Sequence, residues 1–208
     1  MIEQLQRTEK WFADRLGYAT SSNFNKVLAQ GRGGQEATTR RKYRAELVRQ
    51  RLTGVYESRY KGEEMDWGAD TEDLAKLTYE RFTGRTIDDC EFIKHSKLKA
   101  GASPDGLVGK DGLVEIKCPD TSTHQETIKL GAVPTEYIKQ IQGQLWITGR
   151  KWCDFISFDP EMPGQSQLFV KRVWRDEKLI GLIEFQVTKF LKEVDADEKY
   201  FKNYKVKA

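Results

Sequence analysis

Asp105, Glu115 and Lys117 are the residues whose types and spacing could do chemistry. They lie in Ser103-Pro104-Asp105-Gly106-Leu107-Val108 and Leu113-Val114-Glu115-Ile116-Lys117-Cys118-Pro119. Two short apolar runs joined by a turn containing Asp111-Gly112 predict a β-hairpin. Side chains alternate faces along a strand, so Glu115 and Lys117 point to one side, while Val114 and Ile116 form the buried face. Hairpin pairing brings Asp105 onto the side of the acid and the base, and two carboxylates and one ammonium converge. Hard oxygen ligands with room for water suit Mg²⁺ or Mn²⁺ better than zinc, which prefers His and Cys. A divalent ion lowers the pKa of a bound water and polarises a phosphoryl oxygen. Lys117 then orients or deprotonates the attacking water, or neutralises developing phosphorane charge. Phosphodiester hydrolysis fits this set. Acids and a base around a hairpin are usually surface charges. Here Glu115 and Lys117 flank one apolar residue in a strand that reads as buried and is stopped by Pro119.

In their order along the chain, further motifs accompany this core: Arg15-Leu16-Gly17 with Thr20-Ser21-Ser22, Trp67-Gly68 with Glu72 and Ala75, and Tyr137 with Gln140 and Gln142 before Trp146. Together they resemble the lambda exonuclease family of phage recombination nucleases, the YqaJ-like recombinases and alkaline exonucleases, over roughly residues 11 to 160. That family is part of the restriction-endonuclease-like superfamily with its Asp-x(n)-Glu-x-Lys pattern. The resemblance implies an Mg²⁺-dependent enzyme, with Mn²⁺ as a substitute, that digests one strand of duplex DNA from a 5′ end. A homotrimeric ring around DNA and a phage single-strand annealing protein as partner are implied by the resemblance alone. By the same token the matching Arg15 and Ser22 contact a terminal 5′-phosphate, Gln140 and Tyr137 contact substrate, and Met65 wedges the duplex end.

The elements that must position these groups read as follows. Residues 3 to 16 form a helix with Leu5, Phe12 and Leu16 on one stripe and Gly17 as its stop. Thr20-Ser21-Ser22-Asn23 carries an N-cap signature for a second helix, whose free N–H groups make Ser22, with Arg15 nearby, an anion site. Gly31-Arg32-Gly33-Gly34 is a flexible loop that can place Arg32 in a DNA groove. A helix over about 36 to 53 carries Arg40, Arg41, Lys42, Arg44, Arg49 and Arg51 against only Glu36 and Glu46. That basic face is either solvated or a phosphate track giving sequence-independent affinity, and the resemblance favours the track. The helix over 66 to 83 has Trp67, Leu74, Ala75 and Phe82 as apolar positions and Gly84 as its C′ residue, with Glu72 as a third carboxylate of the site. Residues 86 to 93 have strand character. Thr121-Ser122-Thr123 can cap a short helix containing Ile128 and Leu130, and another helix spans about 135 to 148. Strands are expected over 152 to 158 and 168 to 174, then a packing helix over about 176 to 193 and a frayed lysine-rich end from Lys199 to Lys207. Ser103, just ahead of Asp105, offers a further hydrogen-bond donor to a DNA end. Metal is expected on Asp105, Glu115 and the Ile116 carbonyl, with Glu72 holding a second metal or its water. His95 and His124 read as structural.

With 208 residues, one nuclease domain over 1–208 is expected, an α/β fold with a mixed central β-sheet flanked by helices and a restriction-endonuclease-like core. The charge balance is 35 basic against 32 acidic residues, or +3, which permits a nucleic-acid partner without demanding one, so the distribution of charge decides. Three widely spaced cysteines, Cys90, Cys118 and Cys153, predict reduced thiols and neither a disulfide framework nor a zinc site. The charged start has no apolar signal region and no run approaches the ~18 apolar residues of a membrane span. The expectation is a soluble cytoplasmic protein, of a phage or prophage in a bacterial host by resemblance. Two rivals are a restriction-like endonuclease, which uses the same core but needs elements that read base edges, with no obvious recognition domain in this chain, and a non-catalytic DNA-end-binding recombination accessory module, which would keep the basic helix and lose a carboxylate or the lysine, whereas all three are intact.

Overall fold

A computed structural model describes residues 8–56 and 63–206, with backbone alone for 63–70. In chain order the elements are α1 (Glu9–Arg15), β1 (Ala19–Thr20), α2 (Phe24–Val27), α3 (Thr38–Thr53), α4 (Glu63–Thr83), β2 (Ile93–Lys94), β3 (Ala100–Ala102), β4 (Gly106–Val108), β5 (Gly112–Lys117), α5 (Thr121–Leu130), α6 (Thr135–Thr148), β6 (Trp152–Phe158), β7 (Leu168–Trp174) and α7 (Glu177–Lys202). The hairpin forms as expected, β4 antiparallel to β5 with Gly106 opposite Val114. β5 then runs parallel to β6, and β7 closes the sheet antiparallel to β6, giving the order β4-β5-β6-β7. The expected mixed sheet is therefore present. A second, three-stranded sheet of order β1-β3-β2 lies beside it, which the sequence reading did not separate.

Both faces of the four-stranded sheet are covered. Leu113, Cys153 and Phe155 pack with Ile141 and Leu145 of α6, Leu47 of α3 and Ile183, Val187 and Phe190 of α7. Val114, Ile116, Ile156 and Phe158 pack with Ala75 and Tyr79 of α4. Each fully buried Leu, Ile or Phe contributes about 1.5–3 kcal/mol of transfer free energy, so the layers hold by apolar burial. The face opposite Val114 and Ile116 is covered as well: Glu115 is 1% exposed, because a β5 flanked by a parallel neighbour is covered on both sides. Gly143 lets α2 and α6 approach, since a Cβ there would lie 2.4 Å from the Phe24 ring.

Several local expectations change. Residues 21–23 form one 3₁₀ turn and α2 is only four residues long, with no side-chain cap bond. Of residues 86 to 93 only Ile93 enters a strand, while Asp88 makes an isolated bridge to Leu107. On α4, Gly84 ends the helix at φ 67° as expected, but Leu74 and Phe82 are exposed and the buried stripe is Thr71, Ala75 and Tyr79. The final helix extends to Lys202, so Lys199 is helical and not part of a frayed end. Asp120, not a threonine, caps α5 by accepting from the Thr123 N–H at 3.0 Å. His124 is fully buried between Ser157 Oγ at 2.7 Å and the Ser166 carbonyl at 2.9 Å, a structural tie of α5 to β6. His95 accepts the Lys97 and Leu98 N–H groups, both at 3.1 Å. None of the three cysteines is in a disulfide, and burial pushes the thiol of Cys90 up to about 12. No helix among the described residues is long and apolar enough to cross a membrane.

One buried charge on the α4 face holds three elements together. Asp154 of β6 is 2% exposed and accepts from Arg172 Nε and Nη2 of β7, both at 2.8 Å, and from the Tyr79 hydroxyl of α4 at 2.8 Å. Arg172 also stacks 3.6 Å above the Trp152 ring. Removing the carboxylate strands a buried hydroxyl and an arginine that is partly shielded from water, so Asp154→Ala is expected to lower stability by about 2–3 kcal/mol. Urea unfolding checks this: the midpoint falls while the slope with denaturant is unchanged.

Candidate active site

The site is built at the end of β5 beyond the last residue of its pairing with β4. The chain turns at Pro104 and Asp105, and the Asp105 N–H reaches the Val114 carbonyl at 3.2 Å. The Asp105 carboxylate accepts the Ile116 N–H at 2.6 Å, replacing the strand partner that β4 no longer supplies. The N–H and C=O of one strand residue face the same neighbour, so the Ile116 carbonyl is turned to the Asp105 edge. Glu115, one residue earlier, points to the α6 face. Its Oε1 accepts from Lys117 Nζ and from Gln140 Nε2 at 2.5 Å, and its Oε2 accepts from Gln144 Nε2 at 2.6 Å. Lys117 Nζ also lies 5.3 Å from the Tyr137 ring centroid, and that ring stacks on Phe155 at 5.4 Å.

Electrostatics follow from this crowding. Burial, then the neighbouring Glu115 and Glu72 charges, raise the Asp105 pKa well above the ordinary carboxylate range. Burial works against the Lys117 ammonium, but Glu115 and Asp105 outweigh it and hold its pKa above the usual lysine value. Lys117 is therefore a fixed cation between carboxylates. Glu72 sits on α4, 3.8 Å from Lys76, and Lys76 also reaches Asp89 at 3.1 Å. The structure brings Glu72 close enough to act on Asp105 by charge. Yet among the described residues no three His, Cys, Asp or Glu side chains gather closely enough to hold a metal. The ligand set that fits a divalent cation is Asp105, Glu115 and the Ile116 carbonyl: oxygens only, with like charges that a hard cation would relieve.

The expected end-binding residues are partly assembled. Arg15 at the end of α1 donates to Ser103 Oγ at 2.9 Å and lies 4.0 Å above the Trp11 ring, whose indole N–H also donates to Ser103 Oγ at 3.2 Å. Ser103 thus ties the guanidinium to the strand entry two residues before Asp105. Ser22 is exposed and pairs with Thr20 Oγ1 at 3.2 Å, so the structure does not join it to Arg15. Arg32 is exposed on a 3₁₀ turn, Arg32–Gly34. The Met65 side chain lies outside the described residues. Gln144, Trp11 and Lys76 were not singled out from sequence. Gln144 and Lys76 each follow an expected site residue, Gln140 and Glu72, by one helical turn, and that spacing was the available signal. Trp11 had none.

The YqaJ-like viral recombinase domain matches residues 10–151, a span that contains every residue of this site. The chain belongs to that family. An alkaline exonuclease from Laribacter hongkongensis shares 45% identity with this YqaJ-like chain, covering 94% of it and 96% of the exonuclease, at a TM-score of 0.86. The same exonuclease in complex with dAMP matches with the same identity, coverage and TM-score. A phage related exonuclease from Haemophilus somnus 129PT, at 17% identity, 88% and 96% coverage and a TM-score of 0.68, shares the fold. No curated protein matches.

The raised Asp105 pKa gives a test free of turnover. Because the folded value exceeds the unfolded one, ionising Asp105 destabilises the metal-free fold, an effect absent below the unfolded value, growing as pH rises from the unfolded value towards the folded one and constant above it. Asp105→Asn, which keeps an acceptor for the Ile116 N–H, is expected to raise the thermal midpoint in excess chelator near neutral pH. The gain is expected to vanish as pH approaches the unfolded carboxylate value of about 3.9.

Proposed function

We propose that this nuclease digests one strand of linear double-stranded DNA in the 5′-to-3′ direction, releasing mononucleotides and leaving a 3′ single-stranded overhang for recombination by strand annealing. The observation that carries the reading is the convergence of Asp105, Glu115 and Lys117 at the end of β5, with Arg15 anchored to Ser103 two residues from the metal-binding edge. Mg²⁺, or Mn²⁺ in its place, would be held by Asp105, Glu115 and the Ile116 carbonyl, with Glu72 acting through its charge or through a second ion. A cation held by these oxygens would supply an activated water and neutralise phosphate charge. Lys117, held as an ammonium by its carboxylate neighbours, donates to the phosphoryl oxygen on which charge develops and is not a resting general base. Gln140 and Gln144 keep the Glu115 carboxylate in one rotamer, so its ligand oxygens are preorganised. The dAMP bound by the Laribacter exonuclease is a deoxynucleoside monophosphate, the class of product this reading requires.

Polarity comes from the other end of the site. A terminal phosphomonoester carries about two negative charges near neutral pH, and Arg15, half-buried against Trp11, is a charge-assisted donor for it. Ser22 and Arg32 would meet the same strand from the α2 side, and Met65 would meet the terminal base pair. A homotrimeric ring and a phage single-strand annealing protein complete the reading on the strength of family membership, as does action in the bacterial cytoplasm.

A time course on three substrates tests this. Linear duplex with 5′-phosphates is expected to be digested faster than the same duplex with 5′-hydroxyls, and a covalently closed circle is expected to stay intact. Arg15→Ala is expected to abolish most of the phosphate preference, about tenfold or more for a lost charge-assisted contact. Nicking of the circle, or an unchanged preference in Arg15→Ala, contradicts the proposal.

A further inference from the structure

α3 is electrically two-sided. Arg40, Arg44 and Arg51, at helical spacings of four and seven, face α7. Arg40 bonds to Glu36 at 2.5 Å and Glu193 at 2.6 Å, and Arg44 to Glu193 at 2.9 Å and Asp197 at 3.0 Å. Arg51 bonds to Asp195 at 2.6 Å. Arg40 is only 9% exposed. These cations are committed to the protein, which corrects the expectation that Arg40 and Arg44 track phosphates. Residues two apart on a helix are separated by about 200°, so Lys42 lies on the flank opposite Arg40. On that flank α2 and α3 enclose a groove of about 550 Å³ lined by Lys26, Thr39, Lys42, Tyr43, Glu46 and Arg49.

The groove holds three cations and one acid. Its one carboxylate, Glu46, accepts from Gln50 Nε2 at 3.2 Å. Lys26 and Lys42 make no ion pair among the described residues, and the Lys26 ammonium sits 5.5 Å from the Tyr43 ring centroid. Burial pushes the Tyr43 hydroxyl up to about 12, so that ring adds no negative charge beside the lysines and Glu46 is the one acid of the lining. That hydroxyl accepts the Thr20 N–H at 3.1 Å, and Thr20 Oγ1 contacts Ser22 Oγ at 3.2 Å. One end of the groove is thus joined, through a single residue, to the turn expected to meet the 5′ end. A ligand that continues from that turn over the two lysines must be a polyanion, extended and read without base edges.

We propose that the α2/α3 groove seats the sugar-phosphate backbone of the duplex behind the end being digested, with Lys26 and Lys42 as its phosphate contacts. This rests on the nuclease reading above and extends it to where the uncut duplex lies. Each lysine neutralises a phosphate and releases condensed counterions, so the contact adds affinity independent of sequence and sensitive to salt.

The test is the slope of log affinity against log salt for a 5′-phosphorylated duplex, measured by fluorescence anisotropy in chelator so that nothing is cut. Lys26→Gln/Lys42→Gln is expected to reduce the slope by about two units, one per lost contact, equally for duplexes of different sequence. Both residues are exposed, and an unchanged thermal midpoint verifies folding. If the double variant has a lower midpoint, Lys42→Gln alone is expected to remove about one unit. A wild-type slope in the folded variant overturns the groove and leaves the nuclease reading standing. A wild-type protein that does not bind duplex at all in chelator likewise overturns the groove, while the nuclease reading stands or falls on the time course above.

Discussion

A charge as deeply buried as Glu115 must be satisfied on both oxygens, and the positions of several elements follow from that constraint. Its three donors come from β5 itself and from two successive turns of α6. The helix can supply both glutamines only if it lies across the sheet face that α3 and α7 also cover. Close approach of α2 to α6 at Gly143 then brings the Thr20 to Ser22 turn toward the same helix. On the other edge of β5, Asp105 replaces a missing strand by accepting the Ile116 N–H. The end of one strand is therefore a place where backbone pairing stops and two carboxylates take over, with Lys117 as their resident counter-charge. Charge is held there at the expense of stability, as the raised Asp105 pKa records.

Charge elsewhere is arranged by the same economy. The net charge of +3 conceals a seam in which acids of α7 neutralise one side of α3. What remains basic is the flank beside α2 and the turn carrying Arg32. A nearly neutral protein thereby keeps a cationic strip beside α2 while the facing sides of α3 and α7 are paired.

How much of this was legible depends on whether the determining contacts were local. The hairpin, the α4 stop at Gly84, the span of α6 and the core set of Asp105, Glu115 and Lys117 could be read because turn chemistry and period-two or helical spacing are written in adjacent residues. What buries Glu115 was not legible, since alternation assigns the two faces of a strand and says nothing of the helix that will cover one of them. Gln144 shares a helical face with Gln140 and was detectable by spacing, yet its importance lies in a contact to a strand 29 residues away in sequence. The basic helix misled for the same reason. Its compensating acids lie on α7, 153 residues from Arg40 in the case of Glu193, and no local count of charge includes them. The 3₁₀ turn at residues 21–23 replaced an expected capped helix because Thr20 and Ser22 bond to each other and not to the helix N–H groups.

The central claim is that Asp105 and Glu115 form one divalent-cation site, with Lys117 beside it and outside the ligand set. Electron paramagnetic resonance of added Mn²⁺ measures this directly, because the bound ion loses the sharp signal of the free one. The account predicts saturable Mn²⁺ binding by the wild-type protein, loss of that binding in Asp105→Asn/Glu115→Gln, and retention in Lys117→Ala. Mn²⁺ binding by the doubly neutralised variant as tight as that of wild type would contradict it.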